Sequence, residues 1–93
     1  MDTIDLFEAI RQMRMLTQQG KTFSFIHVAF NRDTRSSEGI RQVRRARLRP
    51  AAKGDDVSNA DYKLFYYEED TQMPRNCWQM LILAFNGIKV VLN

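Results

Sequence analysis

The sequence predicts an α+β domain, an N-terminal amphipathic helix packed on a mostly antiparallel sheet of about five strands that curls or closes into a small barrel. Three observations predict it. Apolar residues recur at helical spacing over residues 2–19. From Thr22 onward the period changes to two. Near the end, Asn86-Gly87 separates two extended apolar runs. That dipeptide is the strongest short-range hairpin signal, because both turn residues must accept positive φ.

The helix, residues 2–19, carries its stripe on Ile4, Phe7, Ile10, Met13 and Leu16, widened by Leu6. Asp2 or Thr3 is placed to cap it, and Gly20 to end it in the left-handed conformation. The first strand, 22–30, is apolar on both faces: Phe23, Phe25, His27 and Ala29 alternate with Ser24, Ile26, Val28 and Phe30. A polar, turn-rich loop is expected over 31–39. The second strand, 40–49, sets Ile40, Gln42, Arg44, Ala46 and Leu48 on one face and Arg41, Val43, Arg45, Arg47 and Arg49 on the other, and Pro50 ends it. A second loop covers 51–60, and a third strand 61–70 alternates Tyr62, Leu64 and Tyr66 with Lys63, Phe65 and Tyr67. After a turn at 71–75 come strands 76–85 and 88–92, joined by Asn86-Gly87. One helix cannot cover both faces of such a sheet, so the sheet curls on itself or another chain buries its second face.

The chain has 93 residues, which is one domain, 1–93. With 44% hydrophobic and 27% charged residues, the composition is that of an ordinary globular protein rather than of a disordered chain. A single cysteine, Cys77, rules out a disulfide within the chain and points to a reducing compartment. Asp2 and Asp5 are unlike a signal peptide, and the longest apolar run, 80–85, is too short to span a bilayer. The expectation is a cytoplasmic protein without a membrane partner.

No catalytic site, metal site or cofactor is expected. His27 is the only histidine, which excludes a multi-histidine metal site, and its place in an apolar strand fits a core histidine bonded to backbone. Cys77 lacks a neighbouring base or second cysteine and reads as a small buried hydrophobe. The acidic groups Asp55, Asp56, Glu68, Glu69 and Asp70 read as turn residues or partners for arginines, with Glu68 and Glu69 facing Arg41 or Arg44 across strands. The four glycines stand singly, so no glycine-rich phosphate loop exists.

The net charge of +3 is mild, but it is unevenly spread. Arg41, Arg44, Arg45, Arg47 and Arg49 share one strand, with Arg32 and Arg35 just before it. Guanidinium forks match carboxylate and phosphate geometry and suit interfaces. Two partner classes follow: a protein surface, or single-stranded nucleic acid whose bases stack on Tyr66 or Tyr67. The bland alternative is a solvated strand whose charges prevent aggregation. Trp78, in an apolar strand, is expected as a buried anchor.

Three stretches, FSFIHVAFN (23–31), SSEGIRQVRRARLR (36–49) and LILAFNGIKVVLN (81–93), resemble short uncharacterised proteins encoded by prophages and mobile elements of anaerobic gut bacteria. The resemblance implies a genomic setting, a bacterial host cell or a virion, and no activity or site residue. Together these readings give an expected function: a non-enzymatic binding or assembly protein of phage or mobile-element origin, homo-oligomeric through its sheet, with the arginine strand as interaction surface. The alternative is a nucleic-acid-binding module.

Overall fold

The computed structural model describes residues 2–31, 36–51 and 60–92. The elements follow the order β1 (Thr3–Asp5), α1 (Leu6–Gln18), β2 (Phe23–Asn31), β3 (Ser36–Leu48), β4 (Lys63–Glu68), β5 (Met73–Trp78), β6 (Ile82–Phe85) and β7 (Ile88–Val91), with 3₁₀ turns at Ala60–Tyr62 and Gln79–Leu81. One seven-stranded sheet runs β1-β7-β6-β2-β3-β4-β5. Its β1–β7 pair is parallel and every other pair is antiparallel. The α+β architecture is as expected, but the sheet has seven strands rather than five, is mixed, and is open rather than a barrel. It bends enough that β5, three places from β2 in the order, still contacts it.

Two differences account for the extra strands. Asp5, not Asp2 or Thr3, caps α1: its carboxylate accepts from the amides of Phe7 (3.1 Å) and Glu8 (3.4 Å). The helix therefore starts at Leu6, and Ile4 is free to pair beside Val90. The expected strand 76–85 is broken by the turn at Gln79–Leu81, which carries the chain from the β5 edge to β6 beside β2. The Gln79 side-chain amide secures that turn by donating to the Lys63 carbonyl at 3.0 Å. β5 itself begins at Met73, within the stretch expected to be a turn. Of the two expected loops, residues 32–35 and 52–59 lie outside the described residues, and Ser36–Gly39 belong to β3.

The core lies between α1 and one face of the sheet. Leu6, Ala9, Ile10 and Met13 of α1 meet Phe23, Phe25, Val43, Ala46, Leu64, Tyr66, Ile82 and Phe85. Phe7, expected on the buried stripe, is 61% exposed, because the true face follows positions 6, 9, 10 and 13. Thr17 fastens the helix end to the sheet, its hydroxyl donating to Met13 O (2.9 Å) and accepting from Leu48 N (3.0 Å). Gly20, at φ 74°, closes the helix as expected. The Asn86-Gly87 turn also forms, with φ 49° and 82°, and it is docked on β2 through Asn86 N to Ser24 O and Ser24 N to Asn86 Oδ1, both 2.9 Å.

β3 does not keep its alternation. Phe23 pairs with Ala46 but Phe25 with Val43, so Arg44 and Arg45 bulge opposite Ser24. Val43 and Ala46, three residues apart, both end with no exposed surface. The expected single row of Arg41, Arg45, Arg47 and Arg49 is thereby split between the two faces.

Among the described residues, no helix is long and apolar enough to cross a membrane.

Candidate functional site

On the core side of the bulge, Arg41 aligns with the buried Val43 and meets a polar cluster built by three strands and a turn. Glu68 of β4 is buried, and its Oε1 accepts from Arg41 Nη2 (2.8 Å), Arg75 Nε of β5 (2.8 Å) and the Thr71 hydroxyl (2.9 Å). Burial pushes the Glu68 carboxyl up, but these bonds from Arg41, Thr71 and Arg75 outweigh it and hold the group below its ordinary value. Arg41 is raised, chiefly by the same bond to Glu68. Two guanidinium groups on one carboxylate leave this cluster with a net charge of +1.

His27 of β2, in register with Arg41, adjoins the cluster. It is 3% exposed, lies against the Phe25 ring, and contacts Val28 O through Nδ1 (3.1 Å) and the Tyr66 hydroxyl through Nε2 (3.0 Å). Burial lowers its pKa, the Val28 bond opposes this, and Arg41 lowers it further. The core-histidine expectation holds. Cys77 is likewise buried, and burial pushes its thiol up to about 12, so it is not a poised nucleophile.

On the face turned away from α1, Arg47 pairs with Glu69 (2.8 Å) and lies 4.7 Å over the Tyr67 ring, while Arg45 pairs with Asp70 (2.7 Å). Arg49 is directed at backbone, donating to Tyr66 O and Arg75 O, both 2.9 Å. Arg44 is exposed in the bulge and makes no ion pair among the described residues. The five arginines therefore do not present one continuous basic strip. Glu68, Glu69 and Asp70 each hold one of them, which lowers what the surface offers a phosphate.

Two aromatic expectations are corrected. Tyr66 has no exposed surface and cannot stack on a base; its strand is apolar on both faces, and the curvature of the sheet buries this one against Phe25. Trp78 is only half-buried, on the rim of β5 with the Lys63 ammonium 5.1 Å from its ring, so it is not a core anchor. Tyr67 remains partly exposed. The expected pairing of Glu68 with Arg41 is present, whereas Glu69 meets Arg47 rather than Arg44. Sequence reasoning missed Arg75 and Thr71, whose segment read as a plain turn. Their closeness in sequence to Glu68 was the available signal. Arg32, Arg35, Asp55 and Asp56 lie outside the described residues.

The β2–β3 pair extends past its neighbours. β6 borders β2 only from Phe25 to His27, and β4 pairs with β3 only from Ala46 to Leu48. Beyond those limits the pairs Val28–Ile40, Ala29–Gly39 and onward to Asn31–Ser36 form a two-stranded ribbon. Ile40 is 69% exposed there, and Leu83 is 40% exposed in the bulge between β6 and β2. Among the described residues, no group of histidine, cysteine or carboxylate side chains is placed to hold a metal ion.

No family model matches the chain, and no curated protein or solved structure is significantly similar to it.

Proposed function

We propose that this protein is a non-enzymatic binding or assembly domain that self-associates through its sheet, with the exposed arginines of β3 at the rim of the contact. The observation that carries this reading is the ribbon with its exposed Ile40. A two-stranded ribbon is marginal in water by itself, and a large aliphatic side chain left open on it gains by being covered. A second copy supplies a like ribbon, and self-complementary contacts of that kind generate two-fold dimers. The paired Arg45–Asp70 and Arg47–Glu69 groups give the rim both signs of charge, which favours a protein surface over a polyanion. An assembly component of a phage or mobile element, the setting implied by the resemblance, fits such a role.

Light scattering during size exclusion tests the reading. The wild-type chain should elute as a multimer at micromolar concentration, and Ile40→Asp should elute as a folded monomer. A wild-type monomer, or a multimer indifferent to Ile40→Asp, rejects it. Nucleic-acid binding is the second reading, favoured by Arg44 and by the Arg47–Tyr67 stack. It requires binding that weakens steeply with salt and is reduced in Arg44→Ala.

A further inference from the structure

We propose that His27 and Tyr66 form a one-way hydrogen-bond clasp that ties the β4–β5 hairpin to the base of the β2–β3 ribbon and loosens when acid protonates His27. The direction follows from chemistry. Val28 O can only accept, so Nδ1 of His27 must carry the hydrogen that bridges their 3.1 Å contact. In the neutral ring Nε2 is then an acceptor, and the Tyr66 hydroxyl, 3.0 Å away, must donate to it. Tyr66 is held protonated: burial raises its pKa, the nearby Cys77 thiol raises it further, and Arg41 opposes them. The chain of donors runs from Tyr66 to His27 and out to Val28.

A proton on Nε2 reverses one link of this chain. The Tyr66 hydroxyl can then only accept across the 3.0 Å contact, so its own hydrogen must turn away and loses the Nε2 lone pair it was bonded to. The charges around His27 give no relief. Arg41 from β3, Glu68 from β4 and Arg75 from β5 act on it and sum to +1, so a charged imidazole raises the local total to +2. The opposing residue of β6 is the apolar Ile82. The two residues of the clasp stand on different strands: His27 marks where β6 stops bordering β2, and Tyr66 lies on β4, bonded to β5. The link most weakened by protonation is therefore the one between β2 and the β4–β5 hairpin. This inference does not depend on self-association.

The test is made on the full chain. Nitrogen-15 NMR of the imidazole should report the Nδ1–H tautomer at neutral pH and a titration below that of an unfolded histidine. Amide-exchange protection in β4 and β5 should fall across that titration by about tenfold for each pH unit by which it lies below the unfolded value. Amides of β7, at the far side of the sheet, should change far less. Tyr66→Phe, which removes the donor to the neutral ring, should move the His27 titration upward. An Nε2–H tautomer, a titration at or above the unfolded value, a uniform loss of protection over all strands, or a downward shift in Tyr66→Phe would each overturn the clasp.

Discussion

Replacing Glu68 with glutamine probes a buried polar contact with three donors. Its Oε1 accepts from Arg41, Arg75 and Thr71, all within 2.9 Å, and the carboxylate is almost wholly buried. The amide keeps the shape but removes the charge, leaving two guanidinium groups close together around a neutral side chain. Attraction between unit charges at contact is about 4 kcal/mol at the effective dielectric of a partly wet site. Breaking a buried pair from one side costs roughly 3–5 kcal/mol. Both arginine side chains are about one-third exposed, at 33% and 32%, so water screens part of this. The lower end, about 3 kcal/mol, is the expected loss. For a chain of this length that lowers Tm by about 12–24 °C. Urea and thermal unfolding followed by circular dichroism measure it directly. The wild type should also lose part of its advantage in acid. The Glu68 carboxyl is held below its ordinary 4.5 in the fold, so its contribution is complete above that pH and disappears as pH falls through the folded value. Glu68→Gln should be flatter over that range. A loss under about 1 kcal/mol would refute the reasoning, because such a value belongs to a solvated surface pair.

Other perturbations address the core and the turns. Phe25→Ala removes a ring packed against Phe23, His27 and Tyr66 and should cost about 3–5 kcal/mol in urea unfolding. Gly87→Ala meets no atom within 4 Å, so its cost should be the backbone term alone, about 1–2 kcal/mol at φ 82°. Cys77 should react with a thiol reagent at neutral pH only as fast as the fold opens, and at once in denaturant. His27, lowered in the fold, adds stability that is complete above its unfolded value near 6.5 and is lost as pH falls below it. His27→Gln should remove that part of the acid sensitivity in a pH series of urea midpoints.

Local signals in the sequence carried the helix, its glycine stop and the final hairpin, because Gly20 and Asn86-Gly87 act through φ alone. β1 had no such signal. Its three residues are a strand only because β7 lies beside them, 86 residues along the chain. The bulge at Arg44 and Arg45 was hidden for a related reason: a strict two-residue period assigns every arginine to a face, and one inserted residue reassigns half of them. The same limit hid the burial of Tyr66. In strands apolar on both faces, alternation identifies the faces but not which one the helix covers. Of the polar cluster, the Arg41–Glu68 contact was within reach of cross-strand reasoning, while reading 71–75 as a plain turn hid Thr71 and Arg75, near as both are to Glu68 in sequence.

The pairing of β1 with β7 has a consequence for the order of folding. During synthesis Thr3–Asp5 emerge well before Ile88–Val91, their one strand neighbour among the described residues. The amphipathic helix that follows β1 must wait beside a growing chain with its apolar face uncovered until β2 and β3 are made, and β1 can be added only after β7 has been made. Closing so long a loop is slow. Deletion of β7 should therefore leave β1 without a place in the sheet, and sheet formation should end, rather than begin, at β1.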